Sequence, residues 1–95
     1  IKLDAFFVAC SNGHLELVKF FQKERGVDLK TVRNIGSPLH WACSGGHLPL
    51  IEYLIAEGLP TDAHDVKKNT PLGIAKANGQ QLAVELLQNK YGVKK

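Results

Sequence analysis

A fixed period constrains this chain more than any other feature. Ala9, Ala42 and Ala75 lie 33 residues apart, as do Gly13, Gly46 and Gly79, while Pro38 returns as Pro71 and His14 as His47. Such a period marks an array of small supersecondary units, each burying its apolar face only against its neighbours. A chain of 95 residues holds three units and one domain at most, with a modest core and marginal stability. The expected units are about residues 2–34, 35–67 and 68–95.

Each unit reads as two short helices and a connector. In the first, Leu3, Phe6, Phe7, Ala9 and Cys10 recur at helical spacing from Lys2 onward and stop at Asn12-Gly13, where glycine supplies a left-handed turn. A second helix spans about residues 14–24, with Leu15, Leu17, Val18, Phe20 and Phe21 apolar and Glu16, Lys19, Gln22 and Lys23 polar; Gly26 ends it. The four phenylalanines read as core, Phe7 being half exposed if residues ahead of Ile1 once covered it.

From Val27 to Ser37 helical periodicity is lost, and Gly36-Ser37-Pro38 marks an extended or hairpin-like connector. Ser37 is the expected N-cap, and Pro38 suits the first helical turn, where its missing N–H has no partner to lose. The second unit carries Leu39, Trp41, Ala42 and Cys43, then Leu48, Leu50, Ile51, Tyr53, Leu54 and Ile55, before Gly58-Leu59-Pro60 stops it. Thr61 to Asn69 forms the next connector. The third unit runs from Leu72 to about Asn89, with Ile74, Ala75, Leu82, Ala83, Val84, Leu86 and Leu87 apolar. The fold class is therefore an all-α solenoid of three helix-turn-helix units joined by hairpin-like connectors.

Composition narrows the functions. Lys plus Arg exceed Asp plus Glu by three, which gives weak steering toward acidic partners and no strong case for nucleic acid. Cys10 and Cys43 sit one period apart, too far for a disulfide in a stack, so two buried free thiols and a reducing, intracellular setting, cytoplasmic or nuclear, are expected. There is no signal peptide, and no apolar run approaches the twenty residues of a membrane span. The missing methionine at position 1 suggests a chain cut from something longer, or trimmed.

No catalytic, cofactor or metal site is expected. His14, His40, His47 and His64 with the two cysteines lack the short chelating spacings zinc requires. A structural reading accounts for them: His14 and His47 hydrogen-bond loop backbone, and His40 ties the Ser37 turn to its neighbour. Ser11, Ser37 and Ser44 each have a capping or small-residue role rather than a base beside them, and Gly45-Gly46 follows no strand as a phosphate loop would. Trp41, between His40 and Ala42, is expected in the core.

Ser37-Pro38-Leu39-His40, followed by Ala42, Cys43, Gly46 and His47, resembles the ankyrin repeat, and Thr70-Pro71-Leu72 repeats the pattern. The resemblance spans nearly the whole chain. Asp4-Ala5-Phe6-Phe7 in the first unit, and Gly73, Gln80-Gln81 and Gln88-Asn89-Lys90 in the third, depart from it in ways similar to capping repeats. Lys68 stands where the family's hairpin has glycine, so either it accepts a positive φ or the turn differs.

The family resemblance implies non-catalytic binding of a partner protein or peptide by a monomer, through hairpin tips and the concave helix face. Carried onto this chain, those surfaces are Val32, Arg33, Asn34 and Ile35 on a first finger and His64, Val66, Lys67, Lys68 and Asn69 on a second. Ser11, Asn12, Ser44, Gly45, Ala77 and Asn78 line the groove. Val32, Ile35 and Val66 are apolar at loop tips and flanked by Arg33, Lys67 and Lys68, which suggests a partner with an acidic, partly apolar patch; packing of the apolar three within their own hairpins is the competing reading. A different class also stands: an accessory module serving an attached enzyme or lipid-metabolite carrier.

Overall fold

Helix-forming stretches of five to ten residues are too short to persist alone in water, so here they form in pairs that bury one another. The computed structural model describes residues 3–30 and 36–94. Six α-helices occur among them: α1 (Leu3–Ser11), α2 (Leu15–Glu24), α3 (Pro38–Gly45), α4 (Leu48–Ala56), α5 (Pro71–Ala77) and α6 (Gln81–Glu85), the last continuing as a π-helical turn over Leu86–Lys90.

Each pair is turned by the same device. Gly13, Gly46 and Gly79 adopt φ of 72°, 68° and 68°, where a side chain would be strained. The amides of His14, His47 and Gln80 then return to the carbonyls of Ala9, Ala42 and Ala75 at 3.0, 3.1 and 2.9 Å. The 33-residue period of alanine and glycine is therefore the period of one hydrogen-bonded helix stop.

Stacking places α1, α3 and α5 in one row and α2, α4 and α6 in a second. Phe6, Val18, Leu39, Leu50, Ile51, Leu54, Leu72 and Leu87 are fully buried between the rows, with Val27, Leu29 and Leu59 from the connectors closing the edges. Burying one such aliphatic or aromatic side chain contributes about 1.5–3 kcal/mol. Cys10 and Cys43 are buried free thiols. Burial pushes each up from the ordinary 9.0 to about 12.

Four core expectations change in the structure. Phe20 is 43% exposed and Leu17 42%, although both lie on the apolar side of α2. The reason is stacking: Leu50, the counterpart of Leu17 one period later, is 1% exposed because the first unit packs on it, and no described unit covers the far side of α2. Leu82 is also exposed, as are its counterparts Glu16 and Pro49, so that position faces outward in every unit. Phe7, by contrast, is buried as its core reading expects, its ring 5.4 Å from Phe6 and 5.7 Å from Trp41. Trp41 is half-buried at the margin of the core rather than inside it.

Candidate functional site

Two histidines and a glutamine link the units, and one of those links shapes a surface. His40 is buried, and its Nδ1 accepts from the Ser37 amide at 3.1 Å and lies 2.9 Å from the Ser37 hydroxyl. An imidazole nitrogen that accepts an N–H carries no proton, so Nε2 holds it and donates to the Asn69 carbonyl at 2.8 Å. His47 Nε2 bonds the Ser11 carbonyl at 2.7 Å, and one period later Gln80 Nε2 donates to the Ser44 carbonyl at 3.1 Å. Glutamine thus replaces histidine in the same backward reach. The ring of His14, expected to bond loop backbone, finds no hydrogen-bond partner among the described residues, because no described carbonyl lies behind it; the residue is exposed.

The His40–Asn69 bond fixes the base of the second connector, whose tip is built by Asp65. Its Oδ1 accepts from the amides of Lys67 (2.9 Å) and Asn69 (2.8 Å), and its Oδ2 accepts from Asn69 Nδ2 at 3.2 Å. The Asp65 amide donates to the Asn69 carbonyl, and the Lys68 amide to the Asp65 carbonyl. The Asn69 backbone N–H above all holds the Asp65 carboxyl below its usual range. Lys68 takes φ of 66°, the bulge position that closes a three-residue hairpin loop. Replacing Lys68 by glycine is expected to stabilise the chain by about 0.5–1 kcal/mol, the left-handed strain relieved less the added unfolded-state freedom. Thermal melting reads this directly, and an unchanged or lower midpoint would contradict a strained Lys68.

This turn leaves His64, Val66, Lys67 and Lys68 exposed, Val66 at 69%. Neither lysine has a carboxylate partner among the described residues. Asn69, a candidate contact, has its amide, carbonyl and side chain engaged within the hairpin, which makes it a strut. Val32, Arg33, Asn34 and Ile35 lie outside the described residues.

Beside the finger, α3 and α5 part to form a cleft of about 290 Å³ lined by His40, Trp41, Ser44, Ile74 and Asn78. The groove candidates Ser44 and Asn78 meet there. Ser11, Asn12, Gly45 and Ala77 are not among its lining residues. Asn78 Nδ2 is engaged by the Ile74 carbonyl at 2.8 Å. Trp41 and Ile74 were missed as surface residues because helical periodicity assigns both to the core. One signal was present: they share a register with Val8, so the position recurs in all three units. Among the described residues no group of three or more His, Cys, Asp or Glu side chains could hold a metal ion.

The family model for ankyrin repeats in three copies matches residues 6–95. The chain belongs to the ankyrin repeat family. A search of curated proteins returns no sequence match. Among solved structures, one similar chain comes from the complex of the predatory endopeptidase Bd0816 of Bdellovibrio bacteriovorus with the immunity protein Bd3460. The match has a TM-score of 0.85 at 25% identity over 95% of this chain and 47% of that one. This ankyrin chain therefore spans about half the length of that neighbour. Ankyrin stacks are typically non-catalytic binding modules, and no helix among the described residues is long and apolar enough to cross a membrane.

Proposed function

We propose that this ankyrin array is a non-catalytic recognition module that grips a partner protein or peptide with its second finger and the adjoining cleft, working as a monomer inside the cell. The observation that carries the reading is the pairing of a braced hairpin with an unused surface. Asp65 and His40 engage the loop's backbone, yet the side chains of Val66, Lys67 and Lys68 are exposed on it, the two lysines without ion-pair partners among the described residues. A preformed finger loses little entropy on binding, so contacts made there convert efficiently into affinity. The neighbouring complex, in which an immunity protein is found with an endopeptidase, supports a protein rather than a small molecule as partner. Two buried free thiols support a reducing compartment.

Affinity capture from cell lysate, beside a variant carrying Val66→Ser, Lys67→Glu and Lys68→Glu, tests this. A protein retained by the first and lost by the second, with both melting alike, is the expected result. Capture of the same proteins by both, or of none, would overturn it.

A further inference from the structure

We propose that the α3–α5 cleft receives an acidic, aliphatic peptide segment, with a leucine-like side chain seated against Trp41 and Ile74 and flanking carboxylates reaching Lys67 and Lys68. This rests on the protein-binding reading above and names the chemistry of its partner.

Size sets the first limit. A cleft of about 290 Å³ lies at the small end of the roughly 300–1,000 Å³ that ligand sites occupy and has room for one side chain with its adjoining backbone. The lining sets the second. Both ring nitrogens of His40 are spent on Ser37 and Asn69, and Asn78 Nδ2 on Ile74. The cleft therefore offers mainly the apolar faces of Trp41 and Ile74, with few free polar groups at its rim.

Trp41 supplies a third observation. Its Nε1–H is sealed from solvent and has no hydrogen-bond partner among the described residues. Buried donors in folded proteins are nearly always paired. Turning this ring breaks no hydrogen bond and makes one wherever an acceptor arrives, so a bound segment that brings a backbone carbonyl to the cleft satisfies it. Tryptophan also immobilises little freedom for the area it contributes, which is why it recurs at binding hot spots.

Charge decides the occupant. The His40–Asn69 bond holds the finger against the cleft, and Asp65, the carboxylate within the turn, is consumed by the hairpin's own amides. Lys67 and Lys68 are exposed without ion-pair partners among the described residues, so carboxylates on the bound segment complement them. Such rim charges select the partner and speed encounter more than they add affinity.

The test uses acetylated nonapeptides with a central leucine flanked by aspartate and glutamate. Controls are the same peptides with alanine at the centre, the same with lysine flanks, and a single-stranded oligonucleotide as an unrelated polyanion. Binding is read by isothermal titration calorimetry for every variant, and for chains that keep the single tryptophan also from its fluorescence and its indole N–H resonance. The acidic leucine peptides are expected to bind and to move that resonance, with affinity at least about tenfold above the alanine and lysine controls. The Lys67→Glu/Lys68→Glu variant should bind them at least about tenfold more weakly. Trp41→Phe, which keeps an aromatic face but deletes the N–H, should melt no lower than the parent and still lose affinity. The proposal is overturned if no acidic peptide binds, if lysine-flanked peptides or the oligonucleotide bind equally well, or if Trp41→Phe leaves binding unchanged. Peptide failure alongside successful, finger-dependent capture from lysate would sink this inference and leave the protein-binding reading standing.

Discussion

Replacing His40 by alanine is expected to destabilise the protein by about 3 kcal/mol, the sum of a cavity and of polar groups stranded in the interior. The ring is fully buried and serves three partners: the Ser37 amide, the Ser37 hydroxyl and the Asn69 carbonyl. Asn69 O keeps its bond from the Asp65 amide, but the Ser37 groups, themselves buried, lose the acceptor that closes the start of α3. For a domain of this size each kcal/mol moves the melting midpoint by about 4–8 °C, so the expected fall is about 12–24 °C.

His14→Ala is the matched control. That histidine is exposed and its ring is unbonded among the described residues, so loss of the side chain should leave the midpoint within about 2 °C. Hydrogen exchange should also quicken at Asp65–Asn69 in the His40 variant, since the finger loses its brace. Equal melting of the two variants would show that His40 does not join the units.

The second large effect is alkaline. Burial raises both thiols from 9.0 to about 12, so between those values the folded chain retains two protons that the unfolded chain releases. A group raised on folding stabilises below its unfolded pKa, and that contribution is lost as pH climbs toward the folded value. At pH 10 each thiol costs about 1.4 kcal/mol relative to pH 8, or about 3 kcal/mol together. Urea midpoints at the two pH values measure the difference. The Tyr53 hydroxyl, raised chiefly by burial and further by Glu57 and Glu16, acts in the same direction. The Cys10→Ala/Cys43→Ala double variant isolates the cysteines: it should lose most of the pH dependence, and an unchanged slope would refute the assignment.

The repeat devices were legible because each is local. A glycine at left-handed φ, an alanine carbonyl five residues before the returning amide, and a proline in the first helical turn all act within one turn of chain. Period alone therefore locates them. The candidate site was legible only in part. Ser44 and Asn78 could be placed on the inner helix row, and Val66, Lys67 and Lys68 on a loop tip. The role of Asn69 could not be read, because its commitment to Asp65 and His40 depends on how the hairpin folds back. Trp41 misled for the opposite reason: helical spacing gives the side of a helix, and the width of the gap between α3 and α5 decides whether that side is closed.

By itself the amino-acid order determined the number of units, the stops of their helices, the free and buried thiols and the family, since all of these follow from spacing along one chain. The tertiary structure decided which apolar residues are covered. Leu17 and Leu50 occupy the same place in the period, yet stacking buries the second and leaves the first open. It also decided that a finger and a cleft share one face, because the His40–Asn69 bond spans 29 residues and exists only once neighbouring units are packed. Burial and long-range hydrogen bonds belong to pairs of units, and a period describes one unit at a time.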